Sequence, residues 1–198
     1  MTSPSSIHAK NTSLAVQLLH IGWLPSSPIG PLWIAVSAQG IRMVGWDMSQ
    51  VDFSHLVRHR FHANVVYDES RTSEALNQLV DYLTGNRRQF TLPLDLSGMT
   101  TFQANVLRLT SLIPYGATST YKEIAFKWGN EHAARAVGRA EATNPIPLII
   151  PCHRVLGSDG SLHGYGGHGG IKLKAWLLQM EQSSGKKTAG RMPAEEFP

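Results

Sequence analysis

The sequence predicts an α/β unit followed by a mostly helical unit built around a helix-turn-helix, and three observations predict it. The first half carries runs of strand-forming residues, two of them joined by a hairpin signal. A stretch that reads as a linker, Asn86–Ser97 with Pro93 inside it, interrupts the chain near its middle. Beyond it, two short helical patterns flank Gly129-Asn130. With 198 residues the chain can bury a substantial core, as one domain or two small ones.

Ala15–Ile21, Pro31–Val36 and Gly40–Trp46 read as strands, and Ala63–Tyr67 as a further one. Ser37-Ala38-Gln39-Gly40 joins the second to the third, with glycine where a positive φ is needed. Ser73 can cap a helix that carries Leu76, Leu79, Val80 and Leu83 on one face and stops at Gly85. Asn86–Ser97 follows as a linker, so the domains are expected at residues 1–92 and 98–182. Thr100 or Thr101 can cap the next helix, with Phe102, Val106 and Leu109 inward, and Pro114-Tyr115-Gly116 ends it. Tyr121–Trp128 and Glu131–Thr143 form the helix pair, the second with a small inner face of Ala133, Val137 and Ala140. Ile171–Gln182 is a final helix with Leu173, Trp176, Leu177 and Met180 inward. Residues 1–13 are expected to be loose and 183–198 to be a disordered tail.

Composition narrows the function classes. A single cysteine excludes an internal disulfide and a zinc site built from several cysteines, and it fits a reducing compartment such as the cytosol. The spacing of His55, His59 and His62 suits a polar surface better than a ligand set, so no metal is expected. No apolar run approaches the roughly 20 residues of a membrane span, and no signal peptide is expected at the N-terminus. The net charge is +4. Residues 1–98 balance seven basic against seven acidic side chains, whereas residues 99–182 carry eight basic and five acidic. The excess lies in the second half, though a modest excess alone is weak evidence for an anionic partner.

Chemistry concentrates at Ile149-Ile150-Pro151-Cys152-His153-Arg154-Val155. A lone cysteine is often a small buried hydrophobe. Here His153 and Arg154 would be costly additions to a purely structural apolar strand, and an adjacent imidazole is a common activator of a thiol. Cys152 therefore reads as a nucleophile. On the second helix of the pair, Arg135 and Arg139 are four residues apart and His132 lies three before Arg135, which puts all three on one face. They can form a solvated basic face or contact DNA from a recognition helix. Chemistry on a base inside a duplex requires that base to be extruded, and Arg135 is the side chain that can fill the gap. Asn144-Pro145-Ile146-Pro147 connects helix to cysteine. Its prolines exclude helix, and Asn144 can bond backbone on both sides. Gly164-Tyr165-Gly166-Gly167-His168-Gly169-Gly170 is either a flexible loop or a substrate-lining one, and its spacing is not that of a nucleotide-triphosphate loop.

Together these residues resemble the O-6-alkylguanine-DNA alkyltransferases. The resemblance runs over Arg135-Ala136-Val137-Gly138, Asn144 to Val155, Gly164-Tyr165, and Lys174 to Leu178 with Glu181. It implies a ribonuclease H-like α/β domain followed by a winged-helix-like DNA-binding domain, and a single-turnover transfer with no cofactor. By that resemblance Cys152 accepts the alkyl group, His153 takes the thiol proton through a water, and Glu181 orients His153. Tyr121 assists the leaving guanine and Asn144 organises the turn. Thr118, Ser119, His132, Arg135 and Arg139 meet DNA, while Pro147, Val155, Tyr165, Gly166 and Gly167 line the pocket. The expected partner is double-stranded DNA containing O-6-alkylguanine, with O-4-alkylthymine a further substrate to test. A monomer is expected, cytoplasmic, or nuclear in a eukaryote.

Two departures accompany the resemblance. The Gly166–Leu173 string is about two residues longer than the family spacing, and it borders the alkyl pocket. The cysteines through which some members hold zinc in the first domain are absent. The alternative of another class is a lesion sensor that binds alkylated DNA without reacting. Relatives of that kind commonly carry tryptophan in place of the cysteine.

Overall fold

The computed structural model describes residues 16–166 and 169–183. The predicted loose start, the predicted tail from residue 184 and the predicted pocket residue Gly167 lie outside these.

Strands β1 (Leu18–Leu24), β2 (Leu32–Ser37), β3 (Gly40–Trp46) and β4 (Asn64–Tyr67) form one sheet in the order β3-β2-β1-β4. The first three are antiparallel neighbours and β4 joins β1 in parallel. β1 begins three residues later than its sequence suggests, because pairing of Leu24 with Leu32 sets the register and the Ser27–Gly30 turn closes the connection. β2 and β3 are apolar almost throughout because both faces of the sheet are covered. Leu32 and Ile34 pack into one cluster, while the alternate residues Trp33 and Ala35 pack into the other.

Helix α1 (Gln50–Phe61) covers the second face and is absent from the sequence reading. Ser49 caps it, yet among its apolar residues only Phe53 and Val57 are buried, too narrow a stripe to stand out. His55 and His59 are exposed on it, and His62 is its left-handed C-cap. Helix α2 (Glu69–Leu83) covers the other face. Its cap is Asp68 rather than Ser73, since β4 ends at Tyr67 and the first helical residues, Glu69, Ser70 and Arg71, are exposed and polar, with no apolar periodicity to announce the start. Gly22 is what lets α2 lie close on β1: a Cβ there would stand 1.9 Å from Thr72 Oγ1.

The stretch read as a linker is held along the sheet. Ile41 donates to the Pro93 carbonyl at 2.8 Å, Asp95 donates back to Ile41 at 2.9 Å, and the Arg42 guanidinium meets the Asp95 carboxylate at 3.3 Å. Val44 donates to Pro145 at 2.9 Å, so segments from both halves cover the otherwise open edge of β3.

The second half builds α3 (Thr101–Ser111, capped by Thr100), β5 (Ser119–Thr120), α4 (Tyr121–Lys127), α5 (Ala134–Ala142), β6 (Val155–Leu156) and α6 (Gly170–Gln182). α4 starts with a capping box of Thr120 and Glu123. The second helix of the pair starts later than predicted. Asn130 caps a 3-10 turn, Glu131–Ala133, and the α-helix begins at Ala134. Val106, Ile124, Val137 and Val155 form a core beneath the pair. The largest cluster spans both halves, joining Leu76, Leu79, Tyr82 and Leu83 of α2 to Ile146–Ile150 and to Leu173, Leu177 and Met180 of α6.

Candidate active site

The turn that presents Cys152 is built by Asn144. Its side-chain oxygen accepts from the Ile146 amide at 2.9 Å, and its amide nitrogen donates to the Ile150 carbonyl at 3.0 Å and reaches the Cys152 sulfur at 3.2 Å. Arg60 of α1 donates to the Thr143 carbonyl at 2.5 Å, which ties the end of α5 to the first half. Leu148, fully buried, takes a positive φ of 71° within this connection. A 3-10 turn, Cys152–Arg154, then sets the thiol at 7 % exposure.

His153 lies behind it, fully buried, with Nε2 at 2.9 Å from Glu181 Oε1. Glu181 also accepts from Arg154 Nε at 2.9 Å, Arg154 Nη2 at 2.8 Å, the Gly116 amide at 3.0 Å and the Tyr82 hydroxyl at 2.6 Å. Burial alone would push Glu181 up, but the donors His153 and Arg154 bring it down to about 2, so it is ionised. Arg154, read as a neighbour of the thiol, instead bonds Glu181 and the Ile113 carbonyl at 2.6 Å.

The imidazole adjacent in sequence suggests an activated thiol, but burial outweighs it in the folded protein. Burial pushes Cys152 up to about 12, and the nearby Glu141 adds to the rise. His153 is lowered by burial, so its ring is neutral and can accept a proton. The site therefore stores a neutral thiol beside a neutral base, with the ionised Glu181 paired to Arg154 behind them.

Cys152 lies at the boundary of two cavities. The larger, about 660 Å³, opens between α4, α5 and the glycine loop, and Tyr121, Arg135, Glu141, Tyr165 and Gly166 line it. The smaller, about 200 Å³, lies toward β3 and includes Asn144, Pro147 and Trp46. Thus Tyr121, Arg135, Tyr165 and Gly166 gather at the thiol, with Pro147 on its other side. Val155 does not line either cavity; it is fully buried in the helical core. Ser119 is buried too and donates to Glu123 at 2.8 Å, so its hydroxyl is engaged internally. Thr118 is exposed but borders a separate cleft of about 780 Å³. His132 falls in the 3-10 turn rather than on α5, so it does not share the helical face of Arg135 and Arg139. Both arginines are exposed, and Arg135 alone of the two lines the cleft.

Three residues take roles at the site that the sequence did not assign. Lys174 is 1 % exposed, and its ammonium donates to the Val155 carbonyl at 2.7 Å and the Leu162 carbonyl at 2.6 Å, which pins the far side of the loop. Glu141 is buried beside the small inner face of α5; Thr110 donates to one oxygen and the other has no hydrogen-bond partner. Burial raises it to about 7. An acid at the edge of an alanine face is a signal that could have revealed it. Tyr82 gives no local signal, because its partner Glu181 is 99 residues away.

Residues 23–96 match the family described as 6-O-methylguanine DNA methyltransferase, ribonuclease-like domain, and residues 101–183 match its DNA binding domain. The chain belongs to the 6-O-methylguanine DNA methyltransferase family. A methylated-DNA–protein-cysteine methyltransferase of Methanosarcina barkeri is 41% identical over 80% of this chain and 94% of its own. One from Mycobacterium tuberculosis H37Rv is 42% identical over 79% and 89%. The crystal structure of Mycobacterium tuberculosis OGT in complex with DNA superposes with a TM-score of 0.69 at 39% identity, covering 83% of this chain and 94% of that one. The 6-O-methylguanine DNA methyltransferase architecture, ribonuclease-like then DNA-binding, thus accounts for both halves. Among the described residues no three His, Cys, Asp or Glu side chains converge as a metal site would require, and no helix is long and apolar enough to cross a membrane.

Proposed function

We propose that this protein repairs duplex DNA by moving the alkyl group from O-6 of guanine onto Cys152, once per molecule. The observation that carries the reading is the thiol itself. It lies at the wall of an open cleft of about 660 Å³, held by Asn144 at 3.2 Å and backed by the His153–Glu181 pair at 2.9 Å. The sulfur attacks the alkyl carbon. A C–S bond forms as the C–O bond breaks, the thiol proton passes through a water to Nδ1 of His153, and the electron pair leaves on guanine. Tyr121, whose phenol is raised by burial and then by Glu141, stays protonated and can donate to the departing guanine. Arg135, at the cleft mouth, enters the stack in place of the extruded base. A thioether is stable, and nothing at the site would remove it. Work that depends on one free thiol suits a reducing compartment, the cytosol or a nucleus.

The test is intact mass and peptide mapping after incubation with duplex DNA bearing O-6-methylguanine. One added methyl group on Cys152 per molecule is expected. Lesion binding with unchanged mass would instead make the protein a non-reacting sensor.

A further inference from the structure

The cysteine, its base and the base's carboxylate all belong to the DNA-binding domain, yet a buried phenol from the other domain enters their hydrogen bonding. Tyr82 is fully buried on α2, with its oxygen 2.6 Å from Glu181 Oε1 and 3.1 Å from His153 Nε2. An ionised carboxylate only accepts, so the phenol hydrogen points at Glu181. The phenol's lone pairs are then left facing Nε2. Nε2 thus meets two acceptors, Glu181 Oε1 at 2.9 Å and Tyr82 Oη at 3.1 Å, which places the ring hydrogen on Nε2. Nδ1 is buried and makes no hydrogen bond within the protein, so it is the nitrogen left basic. Phe90, tilted at 5.2 Å, and Tyr115, edge-on at 6.1 Å, hold the Tyr82 ring in place.

We propose that Tyr82 is a positioning residue contributed by the ribonuclease-like domain: its hydroxyl holds His153 in the Nε2–H form, so that Nδ1 receives the proton of Cys152. The inference rests on the transfer reading above. Burial and the neighbouring Glu181 keep the phenol well above its ordinary pKa, so it remains a donor throughout the working range. The other charged or titratable groups around His153 are Arg154 on its own turn, Glu181 and Lys174 on α6, and Tyr165 on the glycine loop. None of these supplies a second neutral acceptor at Nε2.

The experiment compares the full-length protein with Tyr82→Phe, which keeps the ring and removes only the hydroxyl. Single-turnover transfer from O-6-methylguanine duplex is followed across pH, beside lesion affinity, melting temperature and the ¹⁵N spectrum of labelled histidine. Transfer at saturating DNA should fall about tenfold, the worth of one well-placed hydrogen bond. Lesion affinity should be unchanged, the pH midpoint of the rate should move, and the His153 signal should change from Nε2–H to mixed tautomers. A variant that melts earlier but reacts at the wild-type rate with the wild-type pH profile would reduce Tyr82 to domain packing and overturn the proposal. If the variant does not fold, the wild-type spectrum decides: an Nε2–H ring supports the proposal and an Nδ1–H ring overturns it. Wild-type protein that leaves methylguanine untouched would defeat the transfer reading, a result separable from all of these.

Discussion

Cys152 is kept neutral by its surroundings, and Glu141 is the side chain through which that can be adjusted. Its ionised form opposes a thiolate at Cys152. Glu141→Gln should therefore lower the thiol pKa and speed alkylation by a small haloacetamide at pH 8 by up to about tenfold, which is one pKa unit. Stability should respond as well. A carboxyl raised from 4.5 to about 7 binds more protons folded than unfolded between those values, so stability declines as pH rises through that window. The decline is about 3 kcal/mol for this group, and Glu141→Gln should remove it. Urea unfolding at pH 4.5 and pH 8 measures the difference; an unchanged pH slope in the variant would contradict a buried, titrating Glu141. Glu181 acts in the opposite sense, its contribution being lost as pH falls from 4.5 toward about 2. At this scale the sequence was legible where chemistry is contiguous. Cys152, His153 and Asn144 lie within ten residues and constrain one another through a single turn. Tyr82, Glu141 and Lys174 were not legible, because each gains its role from burial against residues far along the chain.

Among the elements, α5 carries the DNA prediction. Its buried face of Val137 and Ala140 rests on the helical core, which leaves Arg135 exposed at the cleft mouth. Arg135→Ala should slow repair of duplex DNA by about tenfold or more, the order expected from losing a group worth 1–3 kcal/mol. Reaction with free O-6-benzylguanine should be nearly unchanged. Equal losses on the two substrates, measured as single-turnover rates, would remove Arg135 from the base-extrusion step. The helix pair was readable from Tyr121, Ile124, Ala133 and Val137 at helical spacing, but the 3-10 entry was not, because it depends on Asn130 bonding the His132 amide at 3.1 Å. Helix α1 was missed for a related reason. Two inward residues in three turns suffice when a sheet already supplies Trp33 and Met43 to meet them.

For the molecule as a whole, the boundary read at residues 86–97 concealed a continuous core. The segment reads as a linker with Pro93 inside it, but Leu92, Leu94 and Leu96 pack against the cluster that includes α2 and α6. Fold class was legible because it depends on periodicity within each half, whereas the extent of contact between halves depends on which apolar faces meet. The two halves should therefore unfold together. Far-ultraviolet circular dichroism and tryptophan fluorescence, the latter weighted to Trp23, Trp33 and Trp46 in the first half, should give coincident denaturant transitions. Two separated transitions would show that the shared cluster contributes little.

The same cluster bears on synthesis. The cluster that holds Leu76, Leu79 and Leu83 of α2 is completed by residues of α6, about 100 residues later in the chain. At ribosomal speeds of 5–20 residues per second, α2 waits roughly 5–20 s for them. During that interval the nascent first half holds an apolar helix face that its own sheet covers only in part. Chaperone capture should accordingly peak while the segment between α2 and α6 is being made, and should end when α6 leaves the exit tunnel.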